Sequence, residues 1–429
     1  MKEIVIGFLG CGNVGGGVWR LLEDMREEIA HRFDGLSLRV KRVLVRDVNK
    51  TRSCGVPAEV LTDRPEDVLD DSEISIVAEF MGGEQPATDY LLRALRSGKT
   101  VVTANKVALA LNWHLLQAAA EKSGAGLYYE ASVCGAVPIL QTLTEALPAN
   151  RIDLLMGIIN GTTNYILTRM SDEGSEYADV LADAQRLGLA EPNPAADVEG
   201  MDAAYKLTIM SSLAFHGRVT YDRVYREGIT GVTATDIACG SAMGYTLKLL
   251  AIAKRGGEDG REIEVRVHPT FLPKNHPLAR VEGSFNAVYL RGHACGEITL
   301  QGRGAGDYPT ASAVVGDILR AATAEKHRHP TFHNTAEPDP SLHFTDDWRS
   351  RYFIRCSAVD APGVLARVAD CFASEQVSIA TMRQEGAAAL GRVQLIFITH
   401  EAGEKAVRRA VSRLDSAICS LESLIRVEE

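Results

Sequence analysis

A short apolar run, Ile4–Leu9, ends in Gly10-Cys11-Gly12-Asn13-Val14-Gly15-Gly16-Gly17 and leads into a helix-like stretch, Val18–Ala30. Strand, glycine turn and helix in that order open a βαβ unit, because two parallel strands can be joined only by such a crossover. The alternation continues, with strand patterns at Leu38–Val45, Ile74–Phe80 and Thr100–Thr103 and a helix pattern at Leu91–Ser97. The pattern predicts an α/β chain whose N-terminal part is a Rossmann-type, doubly wound parallel sheet. Within the turn, Gly10, Gly12 and Gly15 make GxGxxG. The absent side chains let backbone N–H groups and the helix N-terminus approach a pyrophosphate. Gly10, Cys11, Gly12, Asn13, Val14 and Gly15 are therefore the candidate cofactor-binding turn. In such folds the ribose is read just after the second strand, where this chain has Arg46 and Asp47, with Lys50 and Arg52 close by. Cations there suit a 2′-phosphate, so Arg46 favours NADP, while Asp47 keeps NAD open.

At 429 residues the chain exceeds what one core usually supports, and two or three domains are expected. From about Pro138 the character changes, with strand patterns at Arg151–Ile159, Ile263–Phe271 and Ala287–Arg291 and helix patterns at Ala178–Arg186, Ala203–Leu213 and Ala311–Ala324. Lys326–Trp348 has the aperiodic composition of a connector. After it come a strand at Tyr352–Val359, a turn at Asp360–Leu365 opening a helix, strands at Val377–Glu385 and Gly391–Thr399, and a helix at Glu404–Leu414. The expected division is a dinucleotide-binding domain at 1–135, an α+β catalytic and dimerisation domain at 136–325, a linker at 326–349, and a C-terminal βαββαβ module at 350–429.

A formal charge of −10 argues against general affinity for nucleic acid or anionic membrane, since counterion release needs clustered Lys and Arg. No apolar run reaches the roughly 18 residues of a membrane span. The N-terminus enters a strand without a signal-peptide pattern, so a cytoplasmic location is expected. Eight scattered cysteines without a CxxC pair fit a reducing compartment.

The chemistry is concentrated between Asn160 and Lys206. Asn160-Gly161-Thr162-Thr163-Asn164 reads as strand end, turn and helix N-terminus, offering N–H groups and hydroxyls to a substrate carboxylate; helix capping explains the same residues. The loop Gly188–Pro194 carries Glu191, and Asp197, Glu199 and Asp202 follow. Asp202 and Lys206 are four apart on a predicted helix, hence on one face. A carbon that gives up a hydride must also lose a proton from its hydroxyl, and a substrate ammonium needs carboxylates around it. The set therefore suits oxidation of an amino alcohol, with Lys206 as proton relay provided a closed cleft desolvates it. A surface ion pair has the same spacing. Lys106, in Thr103-Ala104-Asn105-Lys106, stands just past a first-domain strand, where ligand clefts of open α/β sheets lie. Two other readings stay open: an aldehyde-oxidising enzyme with Cys134 as nucleophile, and a sensor without turnover.

These segments closely resemble homoserine dehydrogenase over nearly the whole chain. The resemblance rests on Gly157–Thr168, on Leu189–Pro194 continuing through Asp197-Val198-Glu199-Gly200-Met201-Asp202-Ala203-Ala204-Tyr205-Lys206, and on Gly304-Ala305-Gly306 with Pro309-Thr310-Ala311-Ser312. It implies NAD(P)-dependent interconversion of homoserine and aspartate 4-semialdehyde in threonine, methionine and isoleucine biosynthesis. Lys206 and Lys106 are then catalytic, Gly161, Thr162, Gly188, Glu191, Asp197 and Asp202 surround the substrate, and Gly304 belongs to the cofactor site. The resemblance also implies a monovalent cation, typically Na+, on Glu130 and the backbone oxygens of Val133, Gly135 and Val137. Two residues depart from the family pattern: Arg303 where a small residue or proline is expected, and Cys134 where glycine or alanine is usual. Tyr352–Ile398 resembles an ACT domain, a module that commonly binds amino acids at a dimer interface, which implies an amino-acid effector, threonine or another. A monofunctional homodimer or homotetramer is expected.

Overall fold

The computed structural model describes residues 2–257, 259–327, 339–386 and 391–429. Residues 328–338 of the connector predicted at 326–349 thus lie outside the described residues. The chain divides into two compact units, one of Met1–Leu155, Ala203–Val224 and Asn286–Leu342, the other of Met156–Asp202, Tyr225–Phe285 and His343–Glu429.

The first unit is built on six strands: β1 (Glu3–Leu9), β2 (Ser37–Leu44), β3 (Leu61–Thr62), β4 (Ile76–Glu79), β5 (Thr100–Thr103) and β6 (Leu127–Tyr128). They lie in the order β3-β2-β1-β4-β5-β6, and every pairing is parallel. This is the doubly wound sheet expected from the sequence. β1 lies between β2 and β4, with Leu9 opposite both Leu44 and Glu79. The strand order therefore reverses at the carboxyl end of β1, where open α/β sheets form their ligand crevice and where the glycine turn begins.

Two details differ from the sequence reading. The first helix runs Asn13–Asp24 and includes the glycine run, and a break at Met25 separates it from a second helix, Arg26–Arg32. Each helical glycine costs about 1 kcal/mol relative to alanine. Close packing compensates: the helix Asp307–Thr323 lies against Asn13–Asp24, and a Cβ on Gly17 would stand 2.7 Å from the Asp307 carbonyl oxygen. Arg20 adds an ion pair to Asp307 at 2.5 Å. Apolar residues of this late helix, Val314 and Ile318 among them, complete the core formed by Ile6, Phe8, Val43 and Ile76.

In the second unit, Tyr245–Gly256 and Glu262–Pro273 form a long antiparallel hairpin, of which the first strand was not foreseen. The C-terminal strand Cys419–Val427 pairs parallel to the second hairpin strand, Thr270 opposite Arg426, and antiparallel to Arg349–Val359. Arg392–Thr399 and then Ile379–Glu385 extend the sheet. With the helices Val364–Ser374 and Glu404–Ser412, the C-terminal segment follows the order βαββαβ, with a further two-residue strand, Ala402–Gly403, just before the second helix. Tyr352, Ile354, Phe372, Phe397 and Val407 fill its core. Among the described residues no helix is long and apolar enough to cross a membrane.

Candidate functional site

The dinucleotide turn is shaped by what its glycines lack. Gly10 has φ +101°, and a Cβ there would meet the Phe80 backbone at 3.2 Å. At Gly15 a Cβ would stand 2.7 Å from the Gly10 carbonyl oxygen, whereas none lies within 4 Å at Gly12, whose outer face is open. Gly12 is the N-cap of Asn13–Asp24, and no side chain caps that terminus. Its N–H groups and positive dipole end suit the residues to a pyrophosphate. Beyond β2, Val45 is buried, while Arg46 and Asp47 are exposed. Arg52 donates to the carbonyls of Asp47 and Lys50 at 2.8 and 2.7 Å, so it shapes the loop that presents Arg46. Burial pushes the Cys11 thiol up to about 12.

The sequence reading missed Glu79, the last residue of β4. Its fully buried carboxylate accepts from Met81 N (2.6 Å), Gly82 N (3.2 Å) and Thr103 Oγ1 (2.6 Å), and burial raises its pKa. Asn105 joins this arrangement. Its Nδ2 donates to the Gly83 carbonyl at 2.8 Å, and its Oδ1 caps the helix Lys106–Ser123 by accepting from Ala108 N at 3.1 Å. Lys106, half-buried, is thereby fixed at the first helical position after β5. An acid at the end of an apolar strand reads as a strand terminus, and only the neighbouring loops reveal its task.

Glu130 is buried, and both its carboxylate oxygens accept backbone N–H groups, from Leu140 at 3.0 Å and Gln141 at 2.8 Å. Its own N–H donates to Asp317 Oδ2 at 2.8 Å. Burial pushes Glu130 up to about 7 and Asp317 up to about 8. In the following loop, Gly135 has φ +51° and a Cβ there would lie 2.7 Å from the Gly304 carbonyl oxygen. Ala136 N donates to the Arg303 carbonyl at 3.2 Å. Cys134 is buried with φ +56°, the left-handed region that glycine enters without strain, which gives a physical sense to the family preference noted there. A thiol enclosed in this way is a poor nucleophile. Arg303 is exposed and contributes its carbonyl to the loop.

In the second unit, Asn160 follows the strand Ile152–Ile158 and caps the helix Gly161–Glu173. Its Oδ1 accepts from Thr163 N at 2.9 Å and Thr163 Oγ1 at 3.0 Å, while its Nδ2 donates to Asp197 Oδ1 at 2.7 Å and to Asp202 Oδ2 at 2.8 Å. Thr162 Oγ1 donates to the Leu189 carbonyl at 2.9 Å, tying the helix start to the loop that holds Gly188 and Glu191. Gly188 has φ +72°, and Glu191 is exposed. Gly161 leaves no room for a side chain, since a Cβ would stand 2.8 Å from the Ser284 carbonyl oxygen. Behind this turn lies another feature the sequence did not announce. Lys248, 2% exposed, donates to Asn164 Oδ1 at 3.1 Å and to the Val281 carbonyl at 2.6 Å, and Asn164 Nδ2 donates to the carbonyls of Val281 and Gly283. Burial lowers the Lys248 pKa to about 8.

The structure thus brings Thr162, Gly188, Asp197 and Asp202 together around one helix start. Asp202 is buried in the first turn of the helix Met201–Phe215, and Lys206 follows it by four residues, half-buried. Gly10–Gly15, Arg46, Lys106, Glu130, Lys206 and Gly304 fall in the first unit, the other substrate candidates in the second.

Family models match both halves of the chain: one described as homoserine dehydrogenase over residues 138–319, and one described as homoserine dehydrogenase, NAD binding domain, over residues 10–130. The homoserine dehydrogenase of Mycobacterium bovis is 43% identical over 438 residues, covering 100% of this chain and 98% of that protein. The crystal structure of a homoserine dehydrogenase from Thiobacillus denitrificans superposes with a TM-score of 0.90 at 41% identity, covering 100% of this chain and 99% of the other. A hyperthermophilic archaeal homoserine dehydrogenase mutant in complex with NADPH matches with a TM-score of 0.63 at 27% identity, over 75% of this chain and 98% of its own.

Proposed function

Because the chain belongs to the homoserine dehydrogenase family, NAD(P)-dependent oxidoreductases that act on a CH–OH group, we propose that Lys206 moves the proton when homoserine and aspartate 4-semialdehyde are interconverted. A nicotinamide cofactor, when bound, would supply the other half of the chemistry, the uptake or return of the hydride. In the oxidative direction the Lys206 amine accepts the hydroxyl proton as the C–H bond breaks, and in the reductive direction its ammonium returns that proton to the carbonyl oxygen. Asp202 lies one helical turn earlier on the same face of that helix. Lys106 stands beside the reacting carbon–oxygen bond, where a cation stabilises the negative charge that builds on oxygen.

Asp197, Asp202 and Glu191 receive the substrate ammonium, and Gly161 and Thr162, at a helix N-terminus, receive its carboxylate. Gly188 gives the loop of Glu191 its turn. On the cofactor side, Gly10, Cys11, Gly12, Asn13, Val14 and Gly15 would hold the pyrophosphate, Gly304 would belong to the same site, and Arg46 would suit a 2′-phosphate. NADP is accordingly the preferred cofactor; the archaeal relative described with NADPH supports that preference. Glu130 and the backbone oxygens of Val133, Gly135 and Val137 would hold Na+. One carboxylate with several carbonyls is the donor set of a hard cation, and a nearby positive charge would return the buried Glu130 to its ionised form. Functionally, we divide the chain into 1–135, 136–325, a linker at 326–349 and an ACT module at 350–429 that takes threonine, in a cytoplasmic homodimer or homotetramer.

The observation that carries this reading is the convergence of Thr162, Asp197 and Asp202 on one helix start, one turn before Lys206. Initial rates with homoserine and each cofactor, with and without threonine, test it. Turnover faster with NADP and inhibited by threonine is expected. Absence of homoserine turnover with both cofactors would overturn the reading.

A further inference from the structure

Asn160 has no part in the proton or hydride transfer, yet both ends of its side chain are committed. We infer that Asn160 is a positioning residue whose amide sets the spacing of Asp197 and Asp202, so that a substrate ammonium meets both carboxylates at once. The inference rests on the assignment of those two carboxylates to the ammonium.

The orientation of the amide is determined by its partners. Oδ1 accepts from Thr163 N and Oγ1, so the two N–H bonds of Nδ2 point the other way, and each ends on a different carboxylate, at 2.7 and 2.8 Å. The two acidic oxygens are therefore no further apart than two hydrogen bonds sharing one nitrogen allow. Asn160 and Asp202 are each 5% exposed and Asp197 is half-buried, so the repulsion of the two carboxylates is only partly screened by water. A lysine or arginine in this place would hold the pair by cancelling its charge. An amide holds it through two partial charges and leaves the negative potential intact for an incoming cation.

The residue type carries the argument. Serine, aspartate and asparagine cap helices about equally well, so capping alone does not require an amide. Only asparagine caps Gly161–Glu173 through its oxygen while bridging two acids through its nitrogen.

Asn160→Ser and Asn160→Asp separate the two tasks, since both keep a capping oxygen and lose the bridge. Each is assayed for oxidation of homoserine and of 4-hydroxybutanoate, which keeps the alcohol and carboxylate but lacks the ammonium. NADPH affinity and Tm are measured alongside. For Asn160→Ser we expect the homoserine KM to rise at least tenfold and Tm to fall by a few degrees, with kcat/KM for 4-hydroxybutanoate and NADPH affinity close to wild type. Asn160→Asp, which adds a third negative charge, raises the homoserine KM further. Wild-type homoserine KM in Asn160→Ser, or an equal loss on both alcohols, would overturn the inference. Asp202→Asn distinguishes the levels of failure. If it too keeps a wild-type homoserine KM, the ammonium assignment falls; if it is impaired while Asn160→Ser is normal, only the bridge falls.

Discussion

The glycine turn proposed for the dinucleotide and the helix start proposed for the substrate both exploit a helix N-terminus, but they are built from opposite materials. The first is made of backbone: Gly10, Gly12 and Gly15 contribute room, and no side chain caps the helix behind them. The second is made of side chains: Asn160 bridges two carboxylates, Thr162 ties down the Glu191 loop, and Lys248 with Asn164 braces the turn from behind. A backbone site is spoiled by added atoms. A side-chain site is spoiled by removed ones.

This contrast is tested first where the expected effect is larger. Gly15→Val puts a branched side chain where a Cβ already lies 2.7 Å from the Gly10 carbonyl oxygen. Overpacking of this kind costs about 1–3 kcal/mol, and the loss falls on the phosphate cradle, so NADPH affinity measured by fluorescence titration should drop roughly tenfold to a hundredfold. The variant should still fold. An unchanged dissociation constant would show that the turn tolerates added atoms and would remove one side of the comparison.

The smaller effect lies on the other side. Lys248→Met removes two donated hydrogen bonds, the one to Asn164 Oδ1 and one of those that the Val281 carbonyl accepts, at a cost of about 1–2 kcal/mol. A Tm lowered by a few degrees and a severalfold higher homoserine KM are expected, with NADPH affinity unchanged. The pH dependence carries a sign. Burial lowers the folded-state pKa of Lys248 from 10.5 to about 8, so between those values the unfolded chain binds more protons and wild-type stability rises with pH. The cost of burying the ammonium is complete below about 8 and relieved as pH climbs towards 10.5. Denaturant unfolding of both proteins at pH 7.5 and 9.5 measures this. The wild type should gain stability relative to the variant at the higher pH, and parallel behaviour would mean that the ammonium is not desolvated.

The same contrast explains how much the sequence disclosed. A backbone site is local, so Gly10–Gly15 between a strand and a helix predicted both the sheet and the crevice at its switch point. The motif Asn160–Asn164 was likewise legible as a helix start, because capping involves residues three apart. The bridge from Asn160 to Asp197 and Asp202 spans about forty positions, and no spacing rule predicts it. Glu79 was hidden in an apolar strand, and Lys248 lies in a strand, Tyr245–Gly256, whose continuous burial gives no alternation to detect. The start of the first helix was misread because glycine normally punctuates. Only the packing of Asp307–Thr323 against it, from almost three hundred residues away, makes a glycine-rich helix affordable.

The division of labour between one amine and one dinucleotide is the central claim, and Lys206→Ala tests it most directly. Homoserine oxidation and NADPH binding are measured on the same preparation. Loss of a general acid–base residue typically costs 10²–10⁴-fold, so kcat should fall by about that factor while the NADPH dissociation constant stays within twofold of wild type. A variant that turns homoserine over at the wild-type rate would contradict the account.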